Sequence, residues 1–532
     1  MKTIMKITFE GSRIKATLVF YLLVALATGF VLIFANDLLA QVLNDHLLVQ
    51  NFDGFALLLF ATVGLFSLIF ALHIFGSYLR AEFQYNTLSR LSEYYISRLL
   101  RAKNSFFTSR SSAELFTRLN ESTYAVSFLL VMVLGIISYS TVLVFYAIII
   151  FRIDVFAGIF TILLLPLYLL ATKKAGDKLT KLLYENLAAS AELSTVTQES
   201  FENVSNVKTK TAFSFFASRS AKELGKIKRA SVKQITIEGY VFGIVALLRI
   251  VAPLLIILAA MQLSSNFNAT AANIMLLYIN IPLLLGNFEM LNVFFIEYKA
   301  AKPFISQLQE FDDVELESEE GVEITNFESL RTDGVKVSFE GGREICVPNF
   351  ELKNGEKIMF FGESGIGKST IFNIIMGLNT EYEGDVFVNG INLREISISS
   401  LRRVFGITFQ NTNALTLDLR GNILLGTQLA DGELKKLIKL TSLESQDDTK
   451  GDAVLNNKVL SGGEKSRLGL SQTLVQKPEI ILQDEVFSNM DEALETKILG
   501  ELFREYPNLS VICISHRNSS RPFFDRVVDF NV

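Results

Sequence analysis

The sequence predicts a membrane bundle of six helices followed by an α/β domain built on a phosphate-binding loop. Three observations predict it. Half of the 532 residues are apolar and mean hydropathy is +0.36, too apolar for an ordinary soluble chain. Six apolar runs, at 16–35, 54–78, 125–150, 155–172, 240–262 and 273–296, occupy the first part of the chain. Beyond about residue 322 the pattern turns to alternating strands, and one of them leads into GESGIGKST and an apolar helix.

Most of the six runs are long enough for a hydrocarbon core, which takes roughly 20 helical residues. The shortest, 155–172, contains Pro166, and Pro253 and Pro282 lie in the fifth and sixth. Membrane helices tolerate proline when neighbours satisfy the freed carbonyl. Lys2, Lys6, Arg13 and Lys15 precede the first run, but that run is too long for a signal sequence and is read as a retained helix. Orientation follows from Lys and Arg placement. NDLLAQVLNDHLLVQ and SSNFNATAAN carry neither residue and FRID carries only Arg152, whereas residues 80–118 and 173–233 are strongly basic. Both termini are therefore placed in the cytoplasm, with two long internal segments and short outer loops.

The predicted layout is a transmembrane domain at 1–311, a linker at 312–321 within the acidic FDDVELESEEGVEI, and a nucleotide domain at 322–532. A net charge of −5 gives no case for a nucleic-acid partner. Cys346 and Cys513 lack His or Cys neighbours at metal spacing and are read as reduced thiols packing as small apolar residues. Each internal segment holds an amphipathic piece, FFTSRSSAELFTRL and QESFENVSNVKTKTAFSFF, which is either a solvated connector or a contact with the second domain.

The loop Gly362, Glu363, Ser364, Gly365, Ile366, Gly367, Lys368, Ser369 and Thr370 fits the spacing that lets backbone N–H groups close around phosphates. Lys368 adds a charge at the β/γ oxygens, and Ser369 offers a hydroxyl to Mg²⁺. PEIILQDE is an apolar strand ending in two carboxylates. Asp484 suits a Mg²⁺ contact there, and Glu485 is placed to polarise an attacking water. KVLSGGEKSR opens a second helix with a Ser-Gly-Gly turn, a further anion site at a helix start. On its own His516, after the apolar VICIS, reads as structural.

Taken together these motifs resemble the nucleotide-binding domain of ABC transporters, and the six helices with two long internal excursions resemble the exporter (type IV) half-transporters of that family. The resemblance covers nearly the whole chain. It implies that Gln410 contacts Mg²⁺, that Ser461, Gly462, Gly463 and Glu464 form the signature, and that Asp491 lies in the D-loop. It further implies that His516 is the switch histidine and that Phe339 stacks on adenine. It turns the two amphipathic pieces into coupling elements. Four features depart from the family pattern: Glu464 in place of the commoner Gln, Phe339 without a hydroxyl, Gln483 where an aliphatic is usual, and no C-terminal helices after His516. None removes a group needed for hydrolysis, so a competent site with ATP and Mg²⁺ is expected.

Six helices make half of a transporter, and the resemblance implies a dimer in which the signature of one copy serves an ATP held by Lys368 of the other. The partner is a second copy, or a related half-transporter. Ionisable and polar residues within the spans are candidates for a substrate cavity: His73, Arg249, Asn280, Asn287 and Glu289. Interhelical polar contacts, including an Arg249–Glu289 pair that only holds the bundle, are the other reading. The implied function is ATP-driven export of a peptide, lipid or amphipathic small molecule, from a bacterial plasma (inner) membrane with the ATPase domain cytoplasmic. A membrane ATPase with a gating or sensing role is the alternative, and an importer is a third.

Overall fold

The computed structural model describes residues 6–7, 12–47, 55–108, 110, 112–264, 267–339, 343–363, 365–446, 454–455 and 460–531. It divides into two compact units, one of Met1–Leu100 with Ser112–Asp313 and one of Arg101–Ser111 with Val314–Val532.

Among the described residues the first unit has six long helices: α1 (Ser12–Gln41), α2 (Phe55–Leu99), α3 (Ser112–Ile153), α4 (Val155–Glu202), α5 (Phe213–Leu263) and α6 (Ala271–Asp312). Five are long and apolar enough to cross a membrane. In α4 the apolar stretch among the described residues is the shorter Val155–Pro166, although the helix runs through Pro166 without ending. The first outer loop was expected directly after residue 35. Instead α1 continues to Gln41 and into a π-helical turn, Val42–Leu47, because Val42 and Leu43 stay buried and carry the apolar face onward. Asp154 alone separates α3 from α4. Its carboxylate caps α4 by accepting from Ala157 N at 2.8 Å and takes a hydroxyl bond from Ser264 at 2.7 Å. The internal segments contain short helices at Ser105–Thr108, overlapping the start of the first amphipathic piece, and Val204–Thr209, within the second.

The second unit holds two five-stranded sheets. Strands β1 (Ser329–Phe339), β2 (Arg343–Cys346), β3 (Glu351–Lys353), β5 (Glu383–Val388) and β6 (Ile391–Asn392) form an antiparallel sheet. Its β1 alternates buried and exposed positions, as a half-covered strand should. The parallel sheet has the order β10 (Arg526–Asp529), β4 (Lys357–Phe361), β9 (Ser510–Ile514), β8 (Ile480–Asp484), β7 (Phe405–Thr408). Helices α7 (Lys368–Ile375), α8 (Ile398–Val404), α9 (Leu419–Leu424), α10 (Asp431–Leu440), α11 (Gly462–Val475) and α12 (Glu492–Glu505) complete it. One apolar core joins both sheets to α7 through Phe327, Phe350, Phe360, Phe372 and Phe405. A second lies under α10, α11 and α12. Central parallel strands are covered on both faces, which explains the unbroken apolar runs in β8 and β9.

The two cysteines differ. Cys513 is fully buried and burial pushes its thiol up, as expected for a packing residue. Cys346 is exposed, contrary to that expectation, because on β2 the inward position falls to Ile345.

Candidate nucleotide site and membrane cavity

Register places the site. In the parallel sheet Phe360 pairs with Ile514 and Asp484 pairs with Ile514, so β4, β8 and β9 end level with one another. The glycine loop, Glu485 and His516 all leave the sheet at that edge, the end at which parallel α/β sheets bind ligands. The loop's last glycine, Gly367, has φ +116 and caps α7; a Cβ there would run into Ile345 of β2. Backbone and packing both demand glycine at this position. Ser364 lies outside the described residues.

Lys368 begins α7 with only 4 % of its surface exposed, and its ammonium donates to the carbonyls of Gly362 at 2.5 Å and Glu363 at 2.7 Å. Burial lowers its pKa, opposed by the nearby charges of Glu485 and Asp484. Ser369 donates its hydroxyl to Asp484 Oδ1 at 2.9 Å. Burial raises the Asp484 carboxyl, with Glu485 adding to the rise while Ser369 and Lys368 oppose it. Glu485 takes the left-handed conformation, φ +49, an uncommon one for a residue with a Cβ. Its Oε2 accepts from Gln410 Nε2 at 2.6 Å, and its Oε1 lies 3.1 Å from His516 Nε2. Five of the residues chosen from the sequence thus converge: Ser369 with Asp484, and Gln410, Glu485 and His516 with one another.

Among the described residues no group of three or more His, Cys, Asp or Glu side chains forms a metal cage. The donor set at the loop is oxygen-only, the Ser369 hydroxyl and one Asp484 carboxylate already in contact. That fits Mg²⁺, which binds through one or two carboxylates and completes its shell with water and phosphate.

Signature and D-loop residues form a second cluster. Ser461 caps α11 and, with Glu464, makes a complete capping box. Glu464 accepts from Ser461 N at 2.7 Å, from the Ser461 hydroxyl at 2.8 Å and from the Gln446 amide. Burial pushes the Glu464 carboxyl up, but these donors outweigh it and leave the pKa below the ordinary value. Its place in the signature is thereby accounted for: it closes the helix start with a charge-assisted bond. Gly462 and Gly463 approach Asn489 so closely that a Cβ on Gly463 would stand 2.8 Å from the Asn489 carbonyl. Asp491 caps α12, accepting from Leu494 N at 2.8 Å. Ser488, in the same turn as Asn489 and Asp491, donates its backbone N–H to the Glu485 carbonyl at 3.1 Å, and Phe339 ends β1 with 43 % of its surface exposed.

Sequence reasoning missed two partners. Arg343 is paired in register with Phe339 and donates to the Gly365 carbonyl, so the β1–β2 hairpin is tied to the glycine loop. Only its cross-strand position could have suggested this. Gln446 lies far from the signature in sequence and gave no signal. Gln483 is fully buried with neither amide atom partnered. An unmade buried bond costs roughly 1–3 kcal/mol. Gln483→Leu is therefore expected to raise the thermal midpoint of the nucleotide domain, followed by scanning calorimetry, and a lowered midpoint would refute the idea.

In the membrane unit the cavity candidates separate. His73 and Asn287 line a cavity of about 350 Å³ together with Tyr21, Arg80, Ser138 and Tyr139. Asn280 does not line it: fully buried, it donates to Asn36 Oδ1 at 2.8 Å and to the Leu276 carbonyl at 2.9 Å. Its polar side chain links α6 to α1, as polar groups do between membrane helices. Arg249 and Glu289 form an ion pair between α5 and α6, also away from this cavity. Gly286 makes the space for it, since a Cβ there would stand 3.0 Å from Arg249 Nη2.

A bundle of membrane-length helices and a phosphate-loop α/β domain on one chain define a fused, nucleotide-binding membrane protein. Residues 18–287 match the ABC transporter transmembrane region, and residues 347–488 match the ABC transporter family. The chain belongs to the ABC transporter family and is an integral membrane protein. It is 31 % identical over 192 residues to an uncharacterized ABC transporter ATP-binding protein of Haemophilus influenzae, covering 34 % of this chain and 31 % of the relative. With the microcin-J25 export ATP-binding/permease protein of Escherichia coli it shares 33 % identity over 174 residues, 32 % of this chain and 30 % of that one. The chain thus spans about a third of the length of the curated relatives it matches. The structure of a bacterial Atm1-family ABC exporter with ATP bound shares the fold over 97 % of this chain and 93 % of that chain, with TM-score 0.82 and 21 % identity.

Proposed function

We propose that the chain is one half of an ATP-driven exporter that works as a dimer. One observation carries this reading: Lys368, the Ser369–Asp484 pair and the Gln410–Glu485–His516 network meet at one sheet edge of a chain whose other unit is a membrane bundle. Lys368 and the loop amides bind the phosphates, which replace the Gly362 and Glu363 carbonyls as partners of the ammonium. Ser369, Asp484 and Gln410 would hold Mg²⁺, which would supply charge neutralisation at the phosphates. Glu485 accepts a proton from the attacking water, held in place by His516 and Gln410. Phe339 receives the adenine ring.

Among the described residues the side-chain bonds of Ser461 and Glu464 run to each other and to Gln446, not to the glycine loop. In the proposed dimer the capped helix start of the signature serves the nucleotide of the partner copy. The loops after α1 and α5, which carry neither Lys nor Arg, lie outside the cell membrane and the nucleotide domain in the cytoplasm of a bacterium, by the Lys and Arg distribution. For the substrate, a cavity with aromatic walls and the polar tips of His73, Arg80, Asn287 and Tyr139 suits an amphipathic molecule such as a peptide or lipid. The test is ATP hydrolysis by the purified protein in lipid nanodiscs against a panel of peptides, lipids and amphipathic drugs. Stimulation by one class, with uptake of that class into inside-out vesicles, is the expected result. Hydrolysis that no class stimulates, with no uptake, would favour a gating or sensing ATPase.

A further inference from the structure

The acidic stretch read from the sequence as the linker is zipped to two other parts of the second unit. Just beyond α6, Leu316 forms an antiparallel bridge with Ala102. The bridge is flanked by backbone bonds from Glu317 N to the Arg101 carbonyl at 2.9 Å and from Lys103 N to the Glu315 carbonyl at 3.0 Å. Lys103 and Glu315 add an exposed ion pair at 2.6 Å. On its other side the same strand is gripped from the nucleotide domain. Arg402 of α8 donates both terminal nitrogens to the Glu317 carboxylate, at 2.7 and 2.8 Å. Its third nitrogen, Nε, donates to the carbonyl of Met376 at 3.2 Å. Met376 caps the end of α7, the helix that begins with Lys368. A little further on, Val322 bonds to Glu395 and Ser397, fixing the strand again beside α8.

We propose that Arg402 is a positioning residue that couples the nucleotide loop to the membrane helices, by fastening the end of α7 to the Glu317 strand and through it to residues 101–103. The inference rests on the reading of Lys368 and Glu485 as an ATP site. Covalent continuity supplies the rest of the path. Residue 101 lies two residues beyond the end of α2, and residue 314 two beyond the end of α6, so a displacement of the zipped strand pulls on two membrane helices at once. A planar guanidinium with three of its N–H groups committed in two directions has one geometry in which all are made. Lysine, a single point donor, cannot make that fork. Neither Arg402 nor Glu317 touches the groups that bind or cleave the nucleotide, so the fastening can be cut without touching the chemistry. The physical warrant for coupling is an element whose position both ends share, and the experiment measures it directly.

The full chain, in lipid nanodiscs and with Cys346→Ser to remove the exposed thiol, carries spin labels at the exposed outer positions Asp45 and Ala269. The label distance is measured before and after ATP with vanadate, beside steady-state hydrolysis. Wild type is expected to show a shift in the distance distribution. Arg402→Glu and Arg402→Lys should hydrolyse ATP within about threefold of wild type yet lose most of the shift. The paired exchange Arg402→Glu with Glu317→Arg should restore at least half of it. A full shift in Arg402→Glu overturns the proposal. So does a loss of hydrolysis in Arg402→Glu that the paired exchange does not repair, since that marks a role in folding. A wild-type chain that binds no ATP, with Lys368→Ala no different, would instead sink the ATP-site reading beneath it.

Discussion

Glu485→Gln is expected to lower ATP hydrolysis by roughly a hundred- to ten-thousandfold, the usual contribution of a positioned general base. ATP affinity should stay within about threefold. The separation follows from geometry. Glutamine has the same shape, and its amide can still bond Gln410 and His516, both of which reach the carboxylate through single contacts. The left-handed backbone at this position is also unaffected by the exchange. Only the ability to take a proton is lost. Single-turnover hydrolysis and equilibrium nucleotide binding, measured on the same preparation, read the two effects apart. A variant with near-normal turnover would remove Glu485 from the chemistry. A variant that no longer binds ATP would show that its main work is to organise the loop.

Arg249→Ala is expected to destabilise the membrane unit by about 1–3 kcal/mol, the range for leaving a buried polar group without its partner, since the Arg249 end of the pair is itself 36 % exposed. Glu289 is 7 % exposed, and removing the guanidinium leaves its carboxylate in the bundle without its partner. Replacing both residues by methionine should recover most of the loss, because matched apolar groups fill the space without a desolvated charge. Thermal unfolding in detergent distinguishes these cases, and an Arg249→Ala protein as stable as wild type would refute the structural role. The double methionine variant separates structure from transport as well. If it is stable and substrate still stimulates hydrolysis, the pair only holds α5 to α6.

Much of the nucleotide domain was legible because its chemistry is local in sequence. A strand, a glycine loop and a lysine at a helix start must be contiguous to cradle phosphate, and Gly362 to Thr370 are. Asp484 and Glu485 were recognisable because they end an apolar strand that can only be central. What stayed hidden depends on residues brought together from afar. The Gln446 amide on Glu464, the Arg343 guanidinium on Gly365 and the grip of Arg402 on Glu317 all join parts of the chain with no shared pattern. In the membrane unit the sequence could name polar residues but not their partners. Asn280 and Asn287 share one helix, yet one is sealed against Asn36 and the other lines the cavity. The linker's acidic composition speaks of solvation, and its backbone pairing with residues 101–103 is something that composition does not reveal.

The notch at Gly286 gives the α5–α6 contact the character of an indexing pin. With the Arg249 side chain seated where a Cβ would stand, a slip of α6 by one residue in either direction brings Leu285 or Asn287 into the notch and drives a side chain into the guanidinium. Close-packed interfaces yield by jumping between discrete arrangements, so a slip of α6 at this contact first requires the guanidinium to leave its seat.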